Sequence, residues 1–256
     1  MRVSVITVCY NSAASIVDTL QAVASQLHDD IEHIVVDGGS IDGTIELVQR
    51  HGKHVAKFMS EPDKGIYDAM NKGLALATGD YVAYLNSDDF YTNNETVSRV
   101  VAAVRNTKSD AVFGDLSYVQ RNNPSLRVRY WRSQAFKTGS FARGHPPPHP
   151  TFFIRRELLV SLKGFDVSYR LASDFDLMFR ALEVEKCTST YLPHELVRMR
   201  AGGITNRSIT NILCQNQEIL RCLRHHGVSV SVAEFATRKI LSRIKQRYLK
   251  PSAIYR

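Results

Sequence analysis

Two adjacent carboxylates, Asp88 and Asp89, follow the apolar run 81–85 after Asn86 and Ser87. Oxygen ligands at the end of a rigid strand suit a hard divalent cation. Mg²⁺ and Mn²⁺ take one or two protein carboxylates and leave their other positions to water and phosphate oxygens. The same residues also read as a solvated turn before the next helix. A second carboxylate, Asp37, ends another apolar run and precedes Gly38-Gly39-Ser40. There it can accept from a nucleobase N–H or a ribose hydroxyl, while the glycines admit a ligand close to the backbone. Alternatively, Gly-Gly-Ser simply makes the turn. The segment is neither a Walker A loop nor a G-x-G-x-x-G fingerprint.

Asp63 and Lys64 stand just before a helical pattern, where anions are favoured. Within that helix Asp68 and Lys72 have the spacing of an ordinary surface pair. Further on, Asp174 and Asp176 are two apart at a predicted helix start, with Ser173 as its expected N-cap. Two carboxylates at that spacing cannot share a helix face. One at most faces a cleft, where it could act as a general base. His145 and His149 flank three prolines, which prevent the helix that would align them on a metal. A rigid extended loop bordering a cleft is expected there. His225-His226 reads as a solvated pair compensating a helix C-terminus. Cys9, Cys187, Cys214 and Cys222 form no C-x-x-C pair and read as reduced structural thiols.

These residues need elements to position them. Residues 3–8, 33–37, 55–60, 81–85 and 111–114 are short apolar, β-rich runs. Helical patterns at about 12–27, 44–50, 66–77 and 94–105 separate them. That alternation predicts βαβ units and a mainly parallel sheet. Ligands of such sheets bind at the carboxyl ends of the strands, so the turns after Val8, Val36 and Leu85 should converge. The second half is less regular. Antiparallel strands are expected over 116–136 around Asn122-Asn123-Pro124, then a Gly/Pro/His-rich loop at 138–150. A strand at 151–154, helices at 156–162 and 174–185, a strand at 191–198, and helices at 211–225 and 232–249 follow.

The formal charge is +8, and the segment 237–256 carries seven basic residues and no acidic one, which leaves +1 for the rest. A nearly neutral body argues against a nucleic-acid partner. There is no apolar run of about 18 residues and no signal-peptide pattern, so the cytosol is the expected compartment.

Taken together, VSVITVCYNS, VVDGGSIDGT, EPDKGIYDAMNKGLALATGDYVAYLNSDD, HPTFFIRRELL, GFD and ASDFDLMFR resemble, in this order, family 2 of the inverting nucleotide-sugar glycosyltransferases. The likeness is greatest to bacterial members that build exopolysaccharide, O-antigen or capsule. It implies an α/β GT-A fold: a Rossmann-like, mainly parallel sheet with a small antiparallel acceptor-side region. The GT-A domain would span 1–207, with a donor half at 1–115 and an acceptor half at 116–207. Residues 208–256 would form a helical extension.

Carried over by position, the resemblance implies that Thr7, Tyr10 and Asn11 border the nucleotide base. Asp37 would contact base or ribose, and Asp63 and Lys64 would approach the base or ribose-diphosphate. Asn86-Ser87-Asp88 occupies the family's DxD position, with Asn86 replacing the first aspartate. Mn²⁺ or Mg²⁺ would then rest mainly on Asp88, with Asp89 as alternative or support. Asp174 matches the catalytic base, while Ser173 stands where an acidic residue is common. His149, Ser173, Gly202 and Gly203 fall on the acceptor side, the glycines in a loop 202–205 that would close over the site. The implied reaction moves a sugar from a nucleoside-diphosphate donor to a hydroxyl of a saccharide acceptor, often lipid-linked.

Ile240, Leu241, Ile244, Tyr248 and Leu249 would then share one face of a basic amphipathic helix suited to an anionic membrane surface. That sharpens the compartment to the inner face of the cytoplasmic membrane. A helix packed on the domain with a solvated basic face is the structural alternative. Two other functions compete. A sugar-nucleotide nucleotidyltransferase calls for a Gly-rich basic loop near the N-terminus, which 7–12 lacks. A noncatalytic adaptor has no use for Asp37, Asp88 and Asp174 in this order.

Overall fold

The computed structural model describes residues 1–203 and 208–248. Strand β1 (Val3–Cys9) is buried along its whole length, as its unbroken β-branched run requires. It pairs in parallel with β2 (Ile31–Asp37) on one side and with β4 (Tyr81–Tyr84) on the other. Strand β3 (Val55–Ser60) adds in parallel to β2. Helices α1 (Ile16–Ala24), α2 (Thr44–His51), α3 (Ile66–Leu76) and α4 (Thr96–Thr107) connect or cover these strands.

Alternation along β1 divides the core between two faces. Ile6 and Val8 pack with Met70 and Leu74 of α3. Val3 and Val5 pack with Val97, Val100 and Val104 of α4. Gly73 lets α3 approach closely, because any β-carbon there would run into the Ile6 side chain.

The sheet continues through β8 (Phe153–Arg155), β6 (Ala111–Val119), β9 (Ser189–Arg200) and β5 (Asp89–Tyr91). Strand β7 (Arg127–Trp131) hangs on β6 through the expected hairpin. Strand β8 runs antiparallel to both β4 and β6, and β5 is antiparallel to β9, while β6 and β9 are parallel. The mainly parallel half and the mixed second half therefore follow the sequence. Strand β5 was not foreseen. It begins at Asp89 itself, where a polar turn was expected.

Helix α5 (Arg156–Ser161) agrees with its pattern. Helix α6 (Ser173–Phe179) is shorter than the predicted 174–185, because the chain widens into a π turn over Arg180–Val184. Ser173 is the first residue of α6 rather than its cap. Its backbone has already turned helical, and its hydroxyl is buried without a partner. Helix α7 (Ile209–His225) is capped by the Ser208 side chain, which accepts from the Asn211 N–H at 3.0 Å. It adds Ile219, Cys222 and Leu223 to the main core, and helix α8 (Val232–Tyr248) adds Phe235. None of the helices among the described residues is long and apolar enough to cross a membrane.

Candidate active site

The turns after the parallel strands do converge. Tyr10 and Asp63 meet over Gly38, where a β-carbon would strike the Asp63 carboxylate. Asn11 takes a left-handed conformation and bridges to the neighbouring turn: its N–H donates to Ser40 Oγ at 2.8 Å, and its Oδ1 accepts from Ile41 at 3.0 Å. Ser12 and Ser87 join the first and fourth turns through their hydroxyls at 2.8 Å. Tyr10 is 61% exposed and free to cover a planar ligand.

Asp37 has a different placement from the one expected. Its carboxylate is enclosed by its own turn, accepting from the N–H groups of Gly39 and Ser40 at 3.0 and 2.9 Å and from Ser60 Oγ at 2.8 Å. The Ser40 hydroxyl and the Cys9 thiol also donate to it. Burial would raise its pKa, but these donors outweigh burial and hold it below the usual carboxylate range. Asp37 thus shapes the Gly38–Ser40 turn.

Thr7 lies within β1 rather than in the loop beyond it, and it is fully buried. Its hydroxyl pairs with His33 Nε2 at 3.0 Å, and His33 Nδ1 meets His54 Nε2 at 3.0 Å. It supports the strand and does not border the cleft.

The burial of that pair has a consequence in acid. Burial, then the neighbouring His54, pushes His33 down to about 3 from 6.5. The unfolded chain takes up this proton near 6.5 and the folded chain does not. The native advantage is therefore complete above pH 6.5 and shrinks as pH falls towards 3. Chemical unfolding at pH 7 and pH 5 should show about 2 kcal/mol lost from His33 alone. An unchanged stability between the two would contradict a neutral, buried His33.

Around the fourth turn, Asp88 is 24% exposed on its side chain and forms an ion pair with Arg121 at 3.1 Å. Arg121 lies in the turn between β6 and β7. Arg200 of β9 donates to the Asp88 carbonyl at 2.9 Å and also pairs with Asp18. Asp89, by contrast, turns inward. Both its oxygens are buried without a hydrogen-bond donor, and Asn86 Oδ1 shares that state. Burial, then the charge of Asp88, raises the Asp89 pKa strongly. The carboxylate open to the cleft is Asp88, and Asp89 lies within the fold behind it. The Asp88 carboxylate fits a hard cation: it is an oxygen ligand, part-exposed at the turn, and it already attracts a positive group, Arg121.

Asp174 is held by α3. The hydroxyl of Tyr67, in the first turn of α3, donates to Asp174 Oδ1 at 3.1 Å. Tyr67 stacks on Phe165 with centroids 5.4 Å apart. His149 stands in the same aromatic wall, stacked on Tyr84 and edge-on to Phe165. Burial lowers the His149 pKa, with the charge of Asp174 opposing it, so His149 is a neutral neighbour. His145 is exposed, and the two histidines do not share a ligand position. Asp176 points the other way, 3% exposed and paired with Arg180 at 2.7 Å. As the spacing required, the two carboxylates differ: Asp174 is part-exposed while Asp176 is buried.

Lys64 is exposed and its N–H donates to Asp68 at 3.0 Å. Gly202 occupies a left-handed turn after β9, with Gly203 beside Met199. The rest of that expected loop, 204–205, lies outside the described residues.

Tyr67, Arg121 and Arg200 escaped the sequence reading. Tyr67 was in view within GIYDAMNKG, but helical spacing singled out Asp68 and Lys72 instead. Nothing local marks the two arginines, whose partners are 33 and 112 residues away. Replacing Tyr67 by Phe keeps the stacked ring and removes only the donor. We expect turnover to fall roughly 10-fold, from a charged hydrogen bond of about 1.5 kcal/mol. Steady-state kinetics on a folded Y67F protein checks this.

Residues 4–162 match the sequence model described as glycosyl transferase family 2. The chain belongs to that family. A PGL/p-HBAD biosynthesis glycosyltransferase of Mycobacterium tuberculosis is 30% identical over 209 residues, 79% of this chain and 78% of that protein. An uncharacterized glycosyltransferase of the same species is 32% identical, covering 70% of this chain and 68% of its own length. Among solved structures, S. aureus TarS 1-349 in complex with UDP-GlcNAc aligns with a TM-score of 0.69 at 19% identity, over 94% of this chain and 73% of that one. The mannosyltransferase PcManGT from Pyrobaculum calidifontis, in complex with GDP-Man and Mn²⁺, aligns at 0.65 and 21%, over 94% and 68%. The fold of this family 2 enzyme is GT-A, and it is a glycosyltransferase that uses a nucleotide sugar.

Helix α8 packs against the second half of this glycosyltransferase. Arg238 donates to the Ala142 carbonyl at 3.0 Å. Lys239 points inward to Asn216 and Gln215 at 2.5 and 3.3 Å. Burial, then Arg243, lowers Lys239 to about 8, while the charge of Asp174 acts on it in the opposite sense. Ile240, Leu241, Ile244 and Tyr248 are exposed by 59, 60, 50 and 82%. So the alternative of a solvated basic face is reversed in part: two cations face the domain and the apolar stripe faces out. Leu249 and the segment to 256 lie outside the described residues.

Proposed function

We propose that this family 2 glycosyltransferase moves a sugar, with inversion, from a nucleoside-diphosphate donor to a hydroxyl of a lipid-linked saccharide acceptor. The reading is carried by Asp174, whose carboxylate accepts from the Tyr67 hydroxyl at 3.1 Å, together with Asp88, part-exposed at the end of the fourth parallel strand's turn. Tyr10, Asn11 and the Gly38–Ser40 turn receive the nucleotide, with Asp63 and Lys64 nearby. Asp37 and Ser87 hold those turns in shape. Asp88 would hold a divalent cation, Mn²⁺ or Mg²⁺, which would supply positive charge against the departing diphosphate. Asp174 takes the proton of the attacking hydroxyl, and Tyr67 orients its carboxylate. The aromatic wall of Tyr84, His149 and Phe165 excludes water beside the base. Attack from the face opposite the leaving group inverts the anomeric carbon.

The acceptor assignment rests on α8. Its outward apolar stripe, flanked by Lys245 and Arg247, fits an anionic lipid surface at the inner face of the cytoplasmic membrane. A role in cell-surface glycan assembly is consistent with a relative named for PGL/p-HBAD biosynthesis. Thermal shift with UDP-, GDP- and dTDP-sugars, with and without Mn²⁺, tests the donor half. One nucleotide class should stabilise the protein, and more so with the ion; stabilisation by none of them sinks the assignment. Vesicle flotation tests the membrane half. Ile240→Ser with Ile244→Ser should release the protein from anionic vesicles without lowering its melting temperature.

A further inference from the structure

Behind α6, on the side away from the cleft, three potential metal ligands converge. Cys222 and His226 are one helical turn apart at the end of α7, and Asp176 faces them from α6. Cys222 Sγ lies 3.5 Å from Asp176 Oδ1, and His226 Nε2 lies 3.6 Å from the same oxygen. All three ligand atoms fall within 4.8 Å of one another. The expected solvated histidine pair is thus only half realised. His225 is exposed, but His226 is stacked on Phe179 with its Nε2 buried and unpartnered.

We propose that Asp176, Cys222 and His226 form a zinc site that fastens the end of α7 to α6. The spacing supports this. Zinc bonds of about 2.0–2.3 Å at tetrahedral angles put neighbouring ligand atoms roughly 3.3–3.6 Å apart. A gap of 3.6 Å is long for a hydrogen bond yet suits two ligands of one ion. Cys-x-x-x-His on one helix presents both side chains on the same face. The Asp176 carboxylate is oriented by its other oxygen, which accepts from Arg180 Nε at 2.7 Å. Arg180 is itself fixed by the carbonyls of Leu162 and Gly164 at 2.5 and 2.8 Å. Such outer contacts commonly aim a metal-bound carboxylate. On binding, the Cys222 thiol releases its proton to solvent and binds as thiolate, His226 binds neutral, and water fills the fourth position. Burial, then the charge of Asp176, raises the thiol pKa in the metal-free cluster, and a divalent ion reverses that balance. The site is separate from Asp88 and does not depend on the sugar-transfer reading.

The test uses the full chain purified without a histidine tag, incubated with zinc and dialysed. Elemental analysis should find about one zinc per chain. It should fall to background in Cys222→Ser and in His226→Gln but remain in Asp88→Asn. Cobalt titration of the unaltered protein should give a near-ultraviolet thiolate-to-cobalt band saturating at about one equivalent, a readout that needs no variant to fold. Absence of both bound zinc and this band overturns the proposal. So does full zinc retention in Cys222→Ser.

Discussion

Asp174→Asn is expected to leave nucleotide-sugar binding intact and to lower turnover by roughly 10²–10⁴-fold, the range of general-base catalysis. That corresponds to about 3–5 kcal/mol of transition-state stabilisation. The substitution is nearly isosteric, and the amide oxygen it introduces can still accept from Tyr67. The aromatic wall therefore has no cause to rearrange. What disappears is the negative charge that receives the acceptor proton. Donor affinity by calorimetry and turnover by product formation separate the two effects. Wild-type turnover in D174N removes Asp174 from the base role. Loss of donor binding instead shows that the residue supports the fold of the pocket. Tyr67→Phe provides the graded companion, because it disturbs orientation while keeping the charge.

The second large effect is expected at Asp88. Asp88→Asn should abolish the Mn²⁺-dependent part of nucleotide stabilisation and lower turnover by roughly 10²–10³-fold, as loss of several kcal/mol of charge stabilisation predicts. Asp89→Asn should do much less. Its carboxylate is already buried and driven towards the neutral form, so the amide changes little that the cleft experiences. The contrast between neighbouring aspartates is the informative measurement. Equal losses in both variants would make Asp89 a ligand in its own right. Arg121 adds a further expectation: the guanidinium now paired with Asp88 has to yield as the ion arrives. Metal titrations in D88N should therefore lose their saturable phase rather than merely shift.

Much of this geometry was legible in the sequence because it depends on local periodicity. The runs at β1, β2, β3 and β4 alternate with helical patterns, and the parallel order of that half follows. Their carboxyl-end turns then had to meet, which brought Tyr10, Gly38, Asp63 and Ser87 together. Spacing also separated Asp174 from Asp176. The side of the chain a residue presents was harder to read. Thr7 sits two residues inside the end of β1, where its hydroxyl pairs with His33 rather than reaching the turn beyond the strand. Asp37 resembled a ligand contact, yet its own turn takes up its oxygens. Tyr67 reaches Asp174 across 107 residues, a distance no motif spacing spans. A helical wheel grouped the apolar residues of α8 correctly but could not say which face meets the domain. Lys239 turned inward to Asn216 and Gln215, and Arg238 to the Ala142 carbonyl, contacts that helical spacing alone does not show.

That orientation of α8 sets a length scale. One side of the helix turns Lys239 onto α7, and its other side carries the exposed apolar stripe. A helix with its side chains is about 10–12 Å across. If the stripe lies in lipid, the reacting hydroxyl is held about that far above the bilayer. The enzyme then measures its acceptor from the membrane upward: a saccharide already grown well beyond this height would carry its terminal hydroxyl past the base. Chain length on the lipid, as well as sugar identity, becomes a basis for selection.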